Sequence, residues 1–302
     1  MKPISKLAEK IESGDFIFTA EFLPQAETDG EAIQTAVSVF SGKGITAVNV
    51  ADNHFGVVMS SMAASVTLYR EGLEPILQVV TRDRNRIALQ SDLIGAAHLG
   101  IKNVLCLTGY HQSLTGNKES ANVFDIDSIQ LIASVKRMRD EGLLLNGVKL
   151  GGEFSLLIGA VANPFMAPHE LNMIRLAKKV EAGANFVQTQ AVFDVDAFAR
   201  WLEAAHQEGI PQRAAILAGV LPLESAAEAQ KLCETYTDFF IPDDVIERLQ
   251  KAGDSAAQQK EGLAICAEIV QKLKEMEGLR GIHVLSGGKE SKVPEILAAI
   301  DL

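Results

Sequence analysis

The chain has 302 residues, 47% of them apolar and 22% charged, an ordinary makeup for a soluble globular protein with a sizeable core. Its net charge of −11 argues against nucleic acid or an anionic membrane as main partner, while leaving room for a local basic pocket and an anionic small ligand. No apolar run approaches the ~20 residues that cross a bilayer, and the widely spaced Cys106, Cys233 and Cys266 form neither a disulfide framework nor a zinc pattern. They are expected as buried thiols in a reducing, cytoplasmic setting.

The opening "MKPISKLAEKIESGD" reads as a short amphipathic helix rather than a signal peptide. From there, short β-rich apolar runs alternate with helical patterns that stop at glycine, as in "YREGLEP" and "KVEAGANF". Glycine tolerates the left-handed conformation that closes a helix. The first strand, expected at 16–24, carries Glu21 among apolar neighbours. A carboxyl left in such surroundings has a raised pKa and becomes a proton donor near neutral pH. The second, at 47–53, ends in Asp52 and Asn53 with His54 beyond. The third, at 75–82, holds Gln78 and runs into "RDRNR" at 82–86. These charges are expected as solvated loop groups or helix caps first, and as a grip on cofactor phosphates second.

The fourth strand, at 103–109, breaks at Thr108-Gly109-Tyr110-His111 into a polar loop that lasts to about Asp125, a length that is usually functional or mobile. "DIDS" at 125–128 reads as a helix cap. The fifth strand, at 155–164, presents Asn163 at its end. The sixth, at 186–193, sets Gln188 and Gln190 on one face, where two amides suit a planar heterocycle better than packing. Between the seventh strand, at 214–222, and the eighth, at 281–288, residues 238–278 supply two extra helical patterns. The eighth leads to Ser286-Gly287-Gly288-Lys289, where the turn permits close approach of backbone to a ligand and gives a weak phosphate signal.

Eight strand-then-helix units without a linker predict a (β/α)8 TIM barrel, one catalytic domain over residues 1–302 with extra helices before the last strand. Most strands are continuous apolar runs, as expected when both faces of a parallel sheet are covered. In such a barrel the site sits at the carboxyl ends of the strands, which gathers Glu21, Asp52, Gln78, Thr108, Tyr110, Asn163, Gln190 and Lys289. The histidines at 54, 98, 111, 169, 206 and 283 show no metal-ligand spacing, so no metal is expected, and only His54 and His111 fall where a site would be.

With those residues in place, "FTAEFLPQ", "GIKNVLCLTG", "AVANP", "KKVEAGANFVQTQAVFDVD" and "AGVLPL" resemble the methylenetetrahydrofolate reductase family, in its bacterial single-barrel form and with a leaning to the acetogen and anaerobe type. The resemblance runs over nearly the whole chain. It implies a bound flavin, FAD before FMN, that carries hydride to 5,10-methylenetetrahydrofolate to give 5-methyltetrahydrofolate, or the reverse. NADH or a partner protein would be the electron donor. By this likeness Glu21 matches the general acid and Gln190 a folate-contacting glutamine. Ala51, Gln78, Thr108, Tyr110, His111, Asn163 and Lys179 border the flavin, Lys179 at its phosphate-bearing part.

Several positions depart from the family. Tyr110 stands where many members have an aspartate, and a phenol with an ordinary pKa of about 10 cannot supply that charge near neutral pH. Leu232 and Glu228 replace a phenylalanine and a glutamine that clamp folate, so Glu228 and Lys289 become the expected substrate contacts at that end. Lysine keeps the charge of the usual arginine without its fork. Two alternatives accompany the reading. One is a folate-binding methyltransferase acting with a corrinoid protein, using Asp52-Asn53. The other is a reductase subunit dependent on a zinc- or iron-sulfur-bearing partner, with assembly into a homo-oligomer left open.

Overall fold

The computed structural model describes residues 3–54, 56–236 and 239–300. Met1 and Lys2 of the opening segment, Asp238 at the head of the extra helical segment, and the last two residues of the single-domain reading lie outside the described residues. The elements are α1 (Lys6–Ser13), β1 (Ile17–Phe22), α2 (Gly30–Phe40), β2 (Ala47–Val50), α3 (Ser61–Arg70), β3 (Pro75–Val80), α4 (Arg86–His98) and β4 (Asn103–Leu107). There follow α5 (Ser128–Asp140), β5 (Leu157–Ala162), α6 (His169–Ala182), β6 (Phe186–Ala191), α7 (Val195–Gln207) and β7 (Ala215–Val220). Then come α8 (Ala226–Thr235), α9 (Asp243–Ala252), α10 (Ser255–Lys274), β8 (Leu279–Val284) and α11 (Val293–Ala299).

The eight strands pair in sequence order and close, β8 returning to β1, with every pairing parallel. This is the predicted (β/α)8 barrel. The predicted strands overran their carboxyl ends, because there the backbone leaves the ladder to turn side chains toward the mouth. Helix starts follow local chemistry: Asp29, Asn85, Asp127 and Asp194 each cap a helix by accepting a backbone N–H. Asp127 forms a full capping box with Gln130, as the "DIDS" reading anticipated.

Alternation along each strand sorts side chains into layers inside the barrel. The lowest is apolar, with Ile17, Ile76, Leu105, Leu157, Phe186 and Leu217 packed together. Gly159 sits opposite Phe186, and a Cβ there would overlap the ring, so the missing side chain makes room for a large one. Helix α1 closes this end: Leu7 is fully buried against the floor, and Glu74 accepts the Lys6 and Leu7 amides at 2.6 and 2.9 Å. Two further apolar shells lie between barrel and helices. With one end plugged, the open mouth is at the carboxyl ends of the strands. Cys106 and Cys266 are buried as expected, but Cys233 is exposed, because α8 turns it away from the shell. No described helix is long and apolar enough to cross a membrane.

Candidate active site

Above the apolar floor the barrel carries a polar layer. Asn49 donates to Gln188 Oε1 at 2.6 Å, and Gln188 Nε2 donates to Asn49 Oδ1 and Thr19 Oγ1 at 3.0 and 3.2 Å. Thr19 Oγ1 in turn meets His283 Nδ1 at 2.9 Å. All four residues are at most 3% exposed. Buried polar groups persist when satisfied, so the layer is a closed network that fixes the floor of the mouth. The paired amides expected at 188 and 190 therefore divide: Gln188 is engaged beneath, and Gln190, half-buried, stands above it. Burial holds the His283 imidazole down to about 3, so it is neutral. His283 was missed as a site residue, although a histidine inside "GIHV" is a signal of the same kind as Glu21.

Directly above this layer lies a cavity of about 260 Å³, lined by Glu21, Asp52, His54, Gln78, Tyr110 and Gln190 among others. Glu21 is 7% exposed. Burial pushes its carboxyl up to about 7; Ser286 and Gly287 N–H groups pull the other way, and the nearby Glu290 carboxylate adds to the rise. The Gly-Gly turn read as a weak phosphate signal thus points amides at a carboxyl of the chain itself. Because Glu21 holds its proton more tightly when folded, its contribution to stability is complete below its ordinary 4.5 and is lost as pH rises to about 7. The unfolding free energy of the native chain minus that of Glu21→Gln is expected to fall over that interval in urea titrations. A flat difference would overturn the assignment.

One wall of the mouth is a charged cluster that sequence reading placed in solvent. Arg82 is 2% exposed. Its guanidinium donates to both Asp83 oxygens at 2.8 and 2.9 Å, to Asn53 O at 2.7 Å and to Tyr110 O at 3.3 Å. Gln112 Nε2 also donates to Asp83, at 2.9 Å. Burial raises the Asp83 carboxyl, but the Arg82 hydrogen bonds outweigh it and leave it below its ordinary value. Next to it Asp52 accepts the Val80 amide at 2.9 Å and pairs with Arg84. The first residues of "RDRNR" are thus an internal strut joining the loops after β2, β3 and β4. Only Arg86, in an exposed pair with Asp125 at 2.8 Å, fits the solvated reading, and Asn85 fits the cap.

A second cavity of about 420 Å³ continues from the first, sharing Leu107, Gly109, Val161 and Gln190. Thr108, Asn163 and Lys179 line it. Thr108 Oγ1 bonds Ser128 at the start of α5, and Asn163 Oδ1 accepts the Phe165 amide at 2.9 Å. Lys179 Nζ reaches Val161 O at 2.6 Å; burial lowers its ammonium to about 8, which leaves it mainly charged at neutral pH. Gly109, at φ 86°, turns the chain between the two cavities in a conformation that favours glycine.

The remaining expected residues scatter. Tyr110 is half-buried and meets the His54 ring edge-on at 5.8 Å, and burial with Arg82 holds His54 down to about 4. His111 is exposed and turns onto its own loop, with Nδ1 at 2.9 Å from Ser113 and Nε2 at 2.8 Å from Asn122. Ala51 is buried beside a neighbouring cavity formed with Leu23–Glu27. Glu228 and Lys289 lie in a separate pocket beyond the 286–287 turn, with Leu232 on its wall. There Lys289 Nζ is held at 2.7 Å by both Glu224 and Glu228. Among the described residues no group of histidine, cysteine, aspartate and glutamate could hold a metal ion.

The sequence pattern of the family described as Methylenetetrahydrofolate reductase matches residues 6–301. A Caenorhabditis elegans protein named "Probable methylenetetrahydrofolate reductase (NADPH)" is 25% identical over 248 residues, which cover 80% of this chain and 34% of that protein. The 5,10-methylenetetrahydrofolate reductase of Pectobacterium carotovorum is 24% identical over 217 residues, 71% of this chain and 65% of that protein. The chain thus spans about a third of the first relative's length and just under two thirds of the second's. Among solved structures, an uncharacterized Clostridium thermocellum protein that binds two copies of 5-methyl-5,6,7,8-tetrahydrofolic acid superposes with a TM-score of 0.67, at 16% identity and over 98% of each chain. At that identity the likeness speaks for the barrel alone.

Proposed function

This chain belongs to the methylenetetrahydrofolate reductase family, and from that premise we propose that it is a flavin-dependent enzyme interconverting 5,10-methylenetetrahydrofolate and 5-methyltetrahydrofolate, with residues 1–302 as one catalytic domain. The observation that carries the reading is Glu21: a carboxyl buried in the lining of the mouth, where desolvation pushes it up to about 7. The cavities support a flavin. The mouth sets apolar side chains such as Leu107 and Val161 beside its polar groups, a mixed lining suited to a planar heterocycle. The adjoining cavity brings the Lys179 ammonium to a place suited to a phosphate-bearing tail, and it is the family likeness that favours FAD over FMN. When bound, the flavin supplies a hydride carrier.

The chain's own residues supply the rest. Glu21 donates a proton to the leaving nitrogen of the substrate's five-membered ring and receives it back in the reverse direction. Gln190, placed where the two cavities meet, offers both a donor and an acceptor to a pterin edge. The His283–Thr19–Gln188–Asn49 layer holds the floor beneath the acid in place. Tyr110 borders the mouth with its phenol ring. The corrinoid-dependent alternative loses support, since Asp52 is engaged by Arg84 and Val80, and Asn53 Nδ2 faces Asp83 at 3.5 Å.

The purified chain is expected to carry, or to take up with 1:1 stoichiometry, a flavin recognisable by its visible spectrum and mass. It is expected to reduce methylenetetrahydrofolate with NADH or, if electrons enter through a partner protein, with an artificial dye. A chain that stays colourless with both FAD and FMN would sink the proposal.

A further inference from the structure

Glu290 lies just past β8, in a one-turn 3-10 helix (Glu290–Lys292), and its half-buried carboxylate turns back toward the strand ends. Its Oε1 accepts the Leu23 amide at 2.9 Å, at the exit of β1, and the Ser286 hydroxyl at 3.4 Å, at the exit of β8. Ser286 Oγ in turn accepts the Gly288 amide at 3.1 Å, and Lys289 N donates to Ser286 O at 3.0 Å, so the turn is tied at both ends. The Ser286 and Gly287 amides that face Glu21 belong to this same turn. Leu23 is two residues from Glu21 on the same chain segment. A single carboxylate therefore fastens the two segments between which the acid sits.

We propose that Glu290 is a positioning residue for Glu21, clamping the end of β1 to the 286–288 turn and placing a second negative charge beside the acid. The proposal rests on the reductase reading for its catalytic meaning, but its geometry does not. The other charged or titratable groups around Glu21 do not substitute for it. Asp52 is paired with Arg84, and Arg82 with Asp83. His54 and His283 are held neutral by burial. Lys289, the nearest lysine in sequence, is drawn to Glu224 and Glu228 on the far side of the turn. Glu290 is the acidic neighbour that acts on Glu21 from the β8 side. Like charges brought together oppose ionisation.

Two substitutions separate clamp from charge. Glu290→Gln keeps an oxygen acceptor for Leu23 and Ser286 and removes the charge; Glu290→Ala removes both. The Glu21 titration is read without substrate from the infrared stretch of its protonated carboxyl, identified by its loss in Glu21→Gln. In Glu290→Gln the midpoint is expected to fall by about one pH unit, a tenfold loss of proton affinity. Hydrogen exchange reads the clamp: the Leu23 amide is expected to exchange about tenfold faster in Glu290→Ala and at the native rate in Glu290→Gln. An unmoved midpoint in Glu290→Gln, or native Leu23 exchange in Glu290→Ala, would overturn the proposal. Neither measurement needs flavin or folate, so a failed reductase reading leaves the result interpretable on its own.

Discussion

Glu21→Gln is expected to lower turnover of methylenetetrahydrofolate by about 10²- to 10⁴-fold, the usual contribution of a positioned proton donor. Glutamine matches the shape of the side chain and fits the same burial, but it carries no transferable proton. The loss should fall on the step that uses the acid. Reduction of the bound flavin by its electron donor, followed at flavin wavelengths without folate, is expected to stay within a few-fold of native. That split is the informative result, because a variant that merely disturbed the mouth would slow both half-reactions. The native activity is also expected to decline as pH rises through about 7, where Glu21 gives up its proton, whereas the residual activity of Glu21→Gln should lack that limb. Native turnover in the variant would remove Glu21 from the chemistry.

Arg82→Met is expected to destabilise the fold by about 1–3 kcal/mol, because a buried guanidinium is lost from acceptors of which Asp83 keeps partial access to water. Methionine fills most of the volume, so the loss is not chiefly a cavity. It comes from leaving the Asp83 carboxylate, Asn53 O and Tyr110 O without the donor they share. Against a total stability of order 5–15 kcal/mol this is a large fraction. It should show as a lower urea midpoint at unchanged slope. Adding Asp83→Leu is expected to recover part of the loss, since the uncompensated anion goes with it. A single variant within about 1 kcal/mol of native would show that the strut is ornamental.

These two residues mark what could be read beforehand and what could not. Glu21 is legible because it breaks an apolar strand, and eight strand-to-loop transitions already direct such a residue to a barrel mouth. Thr108 and Asn163 were legible as strand ends and Lys179 through family resemblance alone, and the three share one cavity. Arg82 was misread because "RDRNR" has the local composition of a wet loop. Its partners Asn53 and Tyr110 come from two other loops, Gln112 braces Asp83 beside it, and their convergence turns a hydrated charge into a buried one. Lys289 shows the same failure in the other direction. By sequence it is an available cation, but the fold brings Glu224 and Glu228 against it.

By itself the sequence determined the barrel, the order of its strands and helices, and the shared face of residues such as Gln188 and Gln190. Those follow from short-range rules: a two-residue strand period, glycine at helix ends and oxygen-bearing caps at helix starts. The tertiary structure alone decided which polar groups are spent on one another. Thr19 and His283 are 264 positions apart and still hydrogen-bonded. Whether a side chain is desolvated, charged or held by a neighbour depends on what the closed barrel packs beside it, and that neighbour is seldom near in the chain.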